Sequence, residues 1–462
     1  MSSRQTSEER YRALPPGLHG LDAEAVARHQ RTRLRAAIVE LVVRGGYHAV
    51  RVDDVLRLAH VSRPTFYALY RDKEACFLDA YDEVARRISR AIVTAHRRAR
   101  DATGAIHAGI ATFLALAAAD PDAVAFFIYG GLGGGERGRE HYNRALLALT
   151  SRLRRGTTAA VDDLTIRAVL GGLREVVAIR LRRGEAPELP QLAEPLTAWV
   201  LAYPPAAPAI VTASAAGALS PPAGDRPDSP RERFTRLPSG RHDLTPEFIR
   251  YSQRERIMDA VADIVAERGY PALTVTEIAR RANVSHKTFY EHFPGKREAF
   301  LAAGRTGGEW GFQAAVEAYA VHAGDWPRAV AAGLQAYLRF LAVEPGHARL
   351  GFVDVFTADP EALQLRDEIV AAFVAYLRPS AEVAGIRPMP AIAADAIGGA
   401  IWELLQAHIQ REPIELLPSL APKVVYIALA PFLGPRRAAR VAVGGSGTEA
   451  GARAARLGGR PG

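Results

Sequence analysis

The stretch TVTEIARRANVSHKTFYEHFPGKREAF, residues 274–300, decides the fold. Thr274-x-x-Glu277 is a capping-box pattern that opens a short helix over TEIARRA. Asn283-Val284-Ser285 reads as a turn, with Ser285 as N-cap of a second short helix over HKTFYEHF. Pro294-Gly295 stops that helix. Upstream, IMDAVADIVAERG sets Ile257, Val261, Ile264 and Val265 on one face and ends at Gly269, a natural C-cap. Neighbouring helical residues point about 100° apart, so Phe289 is expected to face inward and Tyr290 outward. A long helix, a short helix, a tight turn and a short polar helix make a helix-turn-helix, whose second helix can lie in a DNA major groove.

The same unit occurs twice. Shifted by 223 residues, LPPGLHGLDAEAVARHQRTRL (from Leu14) falls on LPSGRHDLTPEFIRYSQRERI (from Leu237). RVDDVLRLAHVSRPTFYALYRDKEACF, residues 51–77, falls on the opening stretch. Of the 67 positions from Leu14 to Ala80, 26 are identical, where chance gives about four or five. At a shift of 228, GGLREVVAIRLRRG (from Gly171) meets GAIWELLQAHIQRE (from Gly399), a weaker correspondence. Each copy is thus a head followed by a longer apolar body. The intervening YPPAAPAIVTASAAGALSPPAGDRPDSP, residues 203–230, reads as a linker. The spacing predicts an arm at 1–27, a first head at 28–95 and a first body at 96–203. A linker and second arm follow at 204–245, then a second head at 246–315, a second body at 316–434 and a disordered tail at 435–462. The fold class is all-α.

Composition narrows the function. With one cysteine, Cys76, in 462 residues, neither an internal disulfide nor a zinc site of two thiolates can form. No apolar run approaches the roughly 18 residues of a membrane span, and the polar start lacks a secretory core, so a cytoplasmic setting is expected. The net charge of +9 is uneven: +5 over residues 1–73, +4 over 231–297, +5 over 436–462, and −5 over the remainder. Two basic heads on an acidic remainder suit a polyanion. Three of the four lysines, Lys73, Lys287 and Lys296, lie in or just past a second short helix. Gly133-x-Gly135-x-x-Gly138 matches a dinucleotide fingerprint in letters only, lacks a βαβ context, and reads as a loop between helices. No paired-carboxylate, H-E-x-x-H or nucleophile signature points to an enzyme, a metal or a cofactor. Cys76, which aligns with Ala299, reads as a buried small residue.

The run T-x-x-E-I-A-x-x-A-x-V-S-x-x-T-F-Y-x-H-F-x-x-K, Thr274 to Lys296, resembles the DNA-binding domain of the TetR family of bacterial transcription regulators. The first copy is similar but departs from it. Arg51 stands for the opening Thr, Asp54 for Glu, Leu69-Tyr70 for His-Phe, and Pro64 sits early in the recognition helix. The resemblance covers both heads; the bodies follow it only in length, helicity and the weak repeat. It implies two consecutive units, each a helix-turn-helix head on a helical effector or dimerisation body. It implies a double-stranded DNA operator as partner, and Ser62, Arg63, Thr65, Tyr67 and Lys73 as contacts of the first head. Ser285, His286, Lys287, Thr288, Tyr290, His292 and Lys296 would serve the second head. Arg51, Thr274 and Thr276 would reach phosphates from the preceding helix. Arg12, His19, Arg241 and His242 are candidates for arms in the minor groove or for caps on the heads.

The expected function is a transcriptional regulator, a repressor in the simplest form, whose single chain carries two unlike recognition helices. One chain then forms a pseudo-dimer through helices near 165–183 and 395–411, or two chains form a homodimer with four heads. The alternative is a one-headed or scaffold protein whose first head no longer binds. The linker segment of about 40 residues spans on the order of 35 Å as a flexible coil, enough to return to the DNA side. In the family the bodies bind small effectors. Here Phe113, Phe126, Phe127 and Tyr129 in the first copy, and Phe340, Phe352, Phe356, Phe373, Tyr376 and Trp402 in the second, are the apolar candidates, and they read first as core.

Overall fold

A computed structural model describes residues 22–154, 162–204, 245–358, 360–379, 383 and 385–444. Every regular element among them is helical. The arm candidates Arg12, His19, Arg241 and His242 and most of the linker lie outside the described residues.

In the first copy, α1 (Ala23–Gly45), α2 (Val52–Ala59) and α3 (Arg63–Leu69) form the head, and α4 (Lys73–Arg98) leads into the body. The body continues with α5 (Ala102–Ala119) and α6 (Pro121–Ala125), the latter passing into a π turn at Phe126–Gly130 and a last turn at Gly131–Gly133. Then come α7 (Gly135–Arg154), α8 (Asp163–Arg182), a 3₁₀ segment Ala186–Leu192, and α9 (Ala193–Val200). The second copy repeats this order. Its head is α10 (Pro246–Arg268), α11 (Val275–Ala282) and α12 (His286–His292). The long α13 (Lys296–Ala320), α14 (Trp326–Val343) and α15 (Pro345–Arg349) follow, with a π turn at Leu350–Asp354 and a last turn at Val355–Ala358. The chain closes with α16 (Pro360–Leu377), α17 (Ile392–Arg411), a 3₁₀ segment Ile414–Leu420, α18 (Ala421–Leu433) and α19 (Pro435–Ala442).

Local sequence accounts for the helix ends. Asp22 caps α1 by accepting from the Ala25 N–H at 2.6 Å. The helix stops at Gly46 (φ 77°), as α10 stops at Gly269 (φ 75°), a region open to glycine without a Cβ clash. The expected capping box of α11 forms by half. Thr274 Oγ1 accepts from the Glu277 N–H at 3.2 Å, while the Glu277 carboxylate turns to Arg268 and Arg280. In α2 the other half forms: Asp54 accepts from the Arg51 N–H at 3.2 Å.

Three expectations change. Residues from Pro435 do not all belong to a structureless tail: α19 occupies Pro435–Ala442, with Ala438 and Ala442 buried. Gly434 (φ 76°) turns the chain, Pro435 starts a new helix, and two alanines one turn apart give it a face to bury. The run Gly133–Gly138 is no open loop but a one-residue break at Gly134 between two helices. A Cβ on Gly134 would sit 2.4 Å from the Phe77 ring, and one on Gly138 2.7 Å from the Gly131 carbonyl, so the glycines are there for close packing. Two segments, Ala102–Ala119 and Ile414–Leu433, are after all long and apolar enough to cross a membrane, each with a mean hydropathy of 1.6. Alanine and glycine carry much of the first, and 78% of the second is buried, as a core helix requires.

The chain folds into two compact units, and each draws on both copies. The first unit holds the first head and most of its body, with Arg174–Thr197 and, from the second copy, Val353–Asp367. Phe77, Tyr81 and Phe126 meet in its core, with ring centroids 5.4 and 5.9 Å apart. Cys76 is fully buried there, as its alignment with Ala299 suggested, and burial pushes its thiol up to about 12. Arg366 in α16 donates to both carboxylate oxygens of Glu175 in α8, one of them at 2.7 Å.

The second unit holds the second head and body together with Ala159–Leu173 and the segment from Ala198 in the first copy. In it the N-terminal half of α8 lies against α17, two helices expected to pack on each other. A Cβ on Gly172 would stand 2.3 Å from the Ala396 carbonyl, and one on Gly171 2.3 Å from the Glu403 Cβ, so only glycine lets them approach this closely. Arg167 Nε donates to Glu403 at 2.7 Å, and Lys423 Nζ to Asp162 at 2.7 Å and Thr165 at 2.9 Å. Tyr203 O–H donates to the Ile427 carbonyl at 2.8 Å. Phe352 stacks on Trp402 with centroids 4.1 Å apart, a core contact.

Candidate nucleic-acid interface

The two heads build their recognition helices alike. Ser62 caps α3 by accepting from the Thr65 N–H at 3.3 Å, and Ser285 caps α12 by accepting from Thr288 at 2.9 Å. The same hydroxyls meet Thr65 Oγ1 and Thr288 Oγ1 at 2.8 and 2.9 Å. These four residues therefore set the helix start before they touch anything outside the head. The preceding turn needs a residue in the left-handed region, and both copies supply a non-glycine there: His60 at φ 50° and Asn283 at φ 52°. Phe66 and Phe289 are buried, whereas Tyr67 and Tyr290 stand 50% and 57% exposed on the next position. The inward and outward assignment of Phe289 and Tyr290 is as the helical period predicts.

The exposed set comprises Arg51, Ser62, Arg63 and Tyr67 in the first head, and Thr274, Thr276, Ser285, His286, Lys287 and Tyr290 in the second. Thr65 and Thr288 are half-buried. The heads differ where they are most exposed. Arg63 forms an ion pair with Asp53 on α2. At the corresponding places the second head has His286 and Thr276, which leave no such pair, and Lys287 where the first has Pro64. The Lys287 ammonium reaches only to 4.0 Å from Glu291 and is 88% exposed.

Three expected contacts are engaged inside the heads. Lys73 Nζ donates to the Tyr47 and Val50 carbonyls at 2.9 and 2.8 Å and lies 4.2 Å from the Tyr47 ring centre. Lys296 Nζ donates to the Leu273 carbonyl at 2.8 Å and lies 5.1 Å from the Tyr270 ring centre. Each lysine thus ties the start of the long fourth helix to the loop before the second helix. His292 meets Gln253 Oε1 at 3.2 Å, and burial, with Arg250 and Arg254 nearby, holds its ring below the usual histidine range. A neutral ring offers phosphate less than an exposed cation does.

One pair of residues was passed over in the sequence. Arg33 donates to the His60 carbonyl at 3.3 Å, and Arg256 to the Ala282 carbonyl at 3.1 Å. Each guanidinium meets the C-terminal end of the second helix, where partial negative charge gathers, and braces the turn. Their identity at the 223-residue shift was the available signal. Part of the second head's charge is also spent internally. Arg280 and Arg268 hydrogen-bond Glu277 and hold its carboxyl down to about 2, and Arg281 meets Glu267.

Residues 34–80 and 257–303 each match the family of bacterial regulatory proteins, tetR family. Each head is a TetR-family DNA-binding domain. The chain thus carries two copies of this family's DNA-binding domain. It is similar to FasR of Mycolicibacterium smegmatis, an HTH-type transcriptional activator, with 32% identity over 78 residues, 17% of this chain and 36% of that protein. It is also similar to TtgW of Pseudomonas putida, an uncharacterized HTH-type transcriptional regulator, with 41% identity over 49 residues, 11% of this chain and 37% of that protein. The chain spans little more than a third of the length of these curated relatives. Among solved structures, the fatty acid degradation regulator FadR from Bacillus halodurans aligns with a TM-score of 0.34 and 20% identity, covering 37% of this chain and 94% of that one.

Proposed function

We propose that the tandem TetR-type chain is a sequence-specific DNA-binding transcription regulator that reads two unlike half-sites with one polypeptide. The observation that carries this is the pair of exposed recognition helices on the same internal frame, which share an outward tyrosine, Tyr67 and Tyr290, but start with different exposed residues: Arg63 and Pro64 in one, His286 and Lys287 in the other. A lone head binds weakly, because phosphate contacts dominate and fade with salt, so two linked heads are needed for a useful site. The ion pairs and glycine contacts between first-copy and second-copy segments support an intramolecular pseudo-dimer. Repression by occupying a promoter needs nothing beyond DNA binding, and it is the sign of regulation we assign. A small apolar effector seated in a body would release the DNA by favouring a different spacing of the heads.

The Arg63–Asp53 pair and Pro64 favour a second reading, in which the first head contributes little. Selection of randomised duplexes by the full chain separates the two. Two unlike half-sites are expected, one erased by Lys287→Ala with Tyr290→Ala and the other by Arg63→Ala with Tyr67→Ala. A single half-site, indifferent to the first-head changes, establishes the one-headed reading. No salt-sensitive enrichment of any sequence sinks both.

A further inference from the structure

The ion pairs that join first-copy and second-copy segments do not obey the repeat that produced them. Glu175 and Glu403 occupy the same place in the duplicated helix, 228 residues apart. Both are buried, at 6% and 1% exposure. Each is met by an arginine from the other copy, but from a different element: Glu175 by Arg366 of α16, Glu403 by Arg167 of α8. A third pair, Asp162 with the buried Lys423, has no counterpart either, since the same shift puts Pro390 and Pro195 at those places. A fourth, Arg182 with Asp367 beside Arg366, also lacks one, since the shift puts Gln410 at the place of Arg182.

We infer that these pairs are a partner code, by which a first body accepts a second body and rejects another first body, while the covalent connection makes the second body of the same chain the one at hand. The inference rests on the pseudo-dimer reading above and names the residues that enforce it. Consider a second chain docking its first body where the second body belongs. It would offer Pro195 in place of Lys423. For Arg366 it would offer His141 or Tyr142, because the flanking helices run 224 to 225 residues apart, Pro121 to Pro345 and Gly135 to Pro360. His141 is already held by Asp82 at 2.7 Å. The half-buried Asp162 would then lack Lys423, and the buried Glu175 would lack Arg366 and keep only Arg174 and Arg182 of its own copy nearby. A second body docked in place of the first fails differently. Arg167 would be replaced by Asp395, which sets a carboxylate against Glu403. A buried charge deprived of its partner costs far more than an intact pair contributes, so the code works mainly by penalising wrong pairings.

The test uses full-length chains carrying two different tags and expressed together. Wild-type chains are expected to have the mass of one chain and to show no co-capture. Arg366→Glu is expected to lower the melting midpoint, and adding Glu175→Arg in the same chain to restore most of the loss. The reversed pair Arg167→Glu with Glu403→Arg repeats the comparison should Arg366→Glu not accumulate. A chain neutralised at two pairs (Asp162→Asn, Glu175→Gln, Arg366→Gln, Lys423→Gln) is expected to co-capture its differently tagged copy. A wild-type particle of two chains overturns the one-chain reading itself. A one-chain wild type whose reversals neither harm nor rescue one another, or whose neutralised form still refuses exchange, overturns the code and leaves the one-chain reading standing.

Discussion

The sharpest contrast lies between two adjacent residues. Phe289 is fully buried and Tyr290 is more than half exposed. Phe289→Ala is expected to destabilise the second head by about 3–5 kcal/mol. Tyr290→Ala should leave the denaturation midpoint nearly unchanged while weakening DNA binding, and urea melts beside binding titrations check both. A loss of stability at Tyr290 would contradict the outward placement. The left-handed turn residue offers a second test. Asn tolerates that conformation better than His, so His60→Asn should be neutral or slightly stabilising, whereas Asn283→Val should cost on the order of 1–2 kcal/mol. The single-residue contacts were only partly legible in the sequence. The letters of Lys73, Lys296 and His292 show donors in a basic region, but they do not show that Tyr47, Val50, Leu273 and Gln253 come close enough to hold them.

At the scale of helices, α2 and α11 make the heads unequal. Asp53 pairs with Arg63 in the first head, and the second has Thr276 at that place. Asp53→Thr should therefore release Arg63, tighten DNA binding at low salt and steepen its salt dependence, because one more cation would reach phosphate. Binding isotherms across a salt series measure this, and unchanged affinity would mean that Arg63 does not face the DNA. The order of the head helices, their turns and their caps were all readable, because short-range chemistry decides them: Ser at the N-cap, Gly at the stop, and an inward Phe one turn from the cap. The π turns at Phe126–Gly130 and Leu350–Asp354 were not. Both copies place one after a short proline-initiated helix, yet the two sequences share no motif there. Helix α19 was hidden by an Arg/Gly-rich composition that resembles a tail.

At the scale of the molecule, stability is tied to buried charge. Burial alone would raise the Glu175 and Asp162 carboxyls, but Arg366 and Lys423 outweigh it and hold both below their ordinary values of 4.5 and 3.8. A carboxyl whose folded value is depressed contributes stability that is complete above its unfolded value and is lost as the pH falls through the folded one. The melting midpoint should thus hold above about pH 4.5 and drop below it, and a Glu175→Met, Arg366→Met double variant should flatten that acid limb. An unchanged acid limb would show that the pair does not carry the linkage. The duplication and the α8–α17 contact were foreseeable from self-comparison of the sequence. The crossed ion pairs were not, because they join residues that no repeat shift aligns. The most direct measurement is the mass, at limiting concentration, of the complex between the wild-type chain and a selected duplex. One 49.9 kDa chain per duplex protecting two unlike half-sites is the predicted result. Two chains per duplex, or one chain protecting a single half-site, would contradict it.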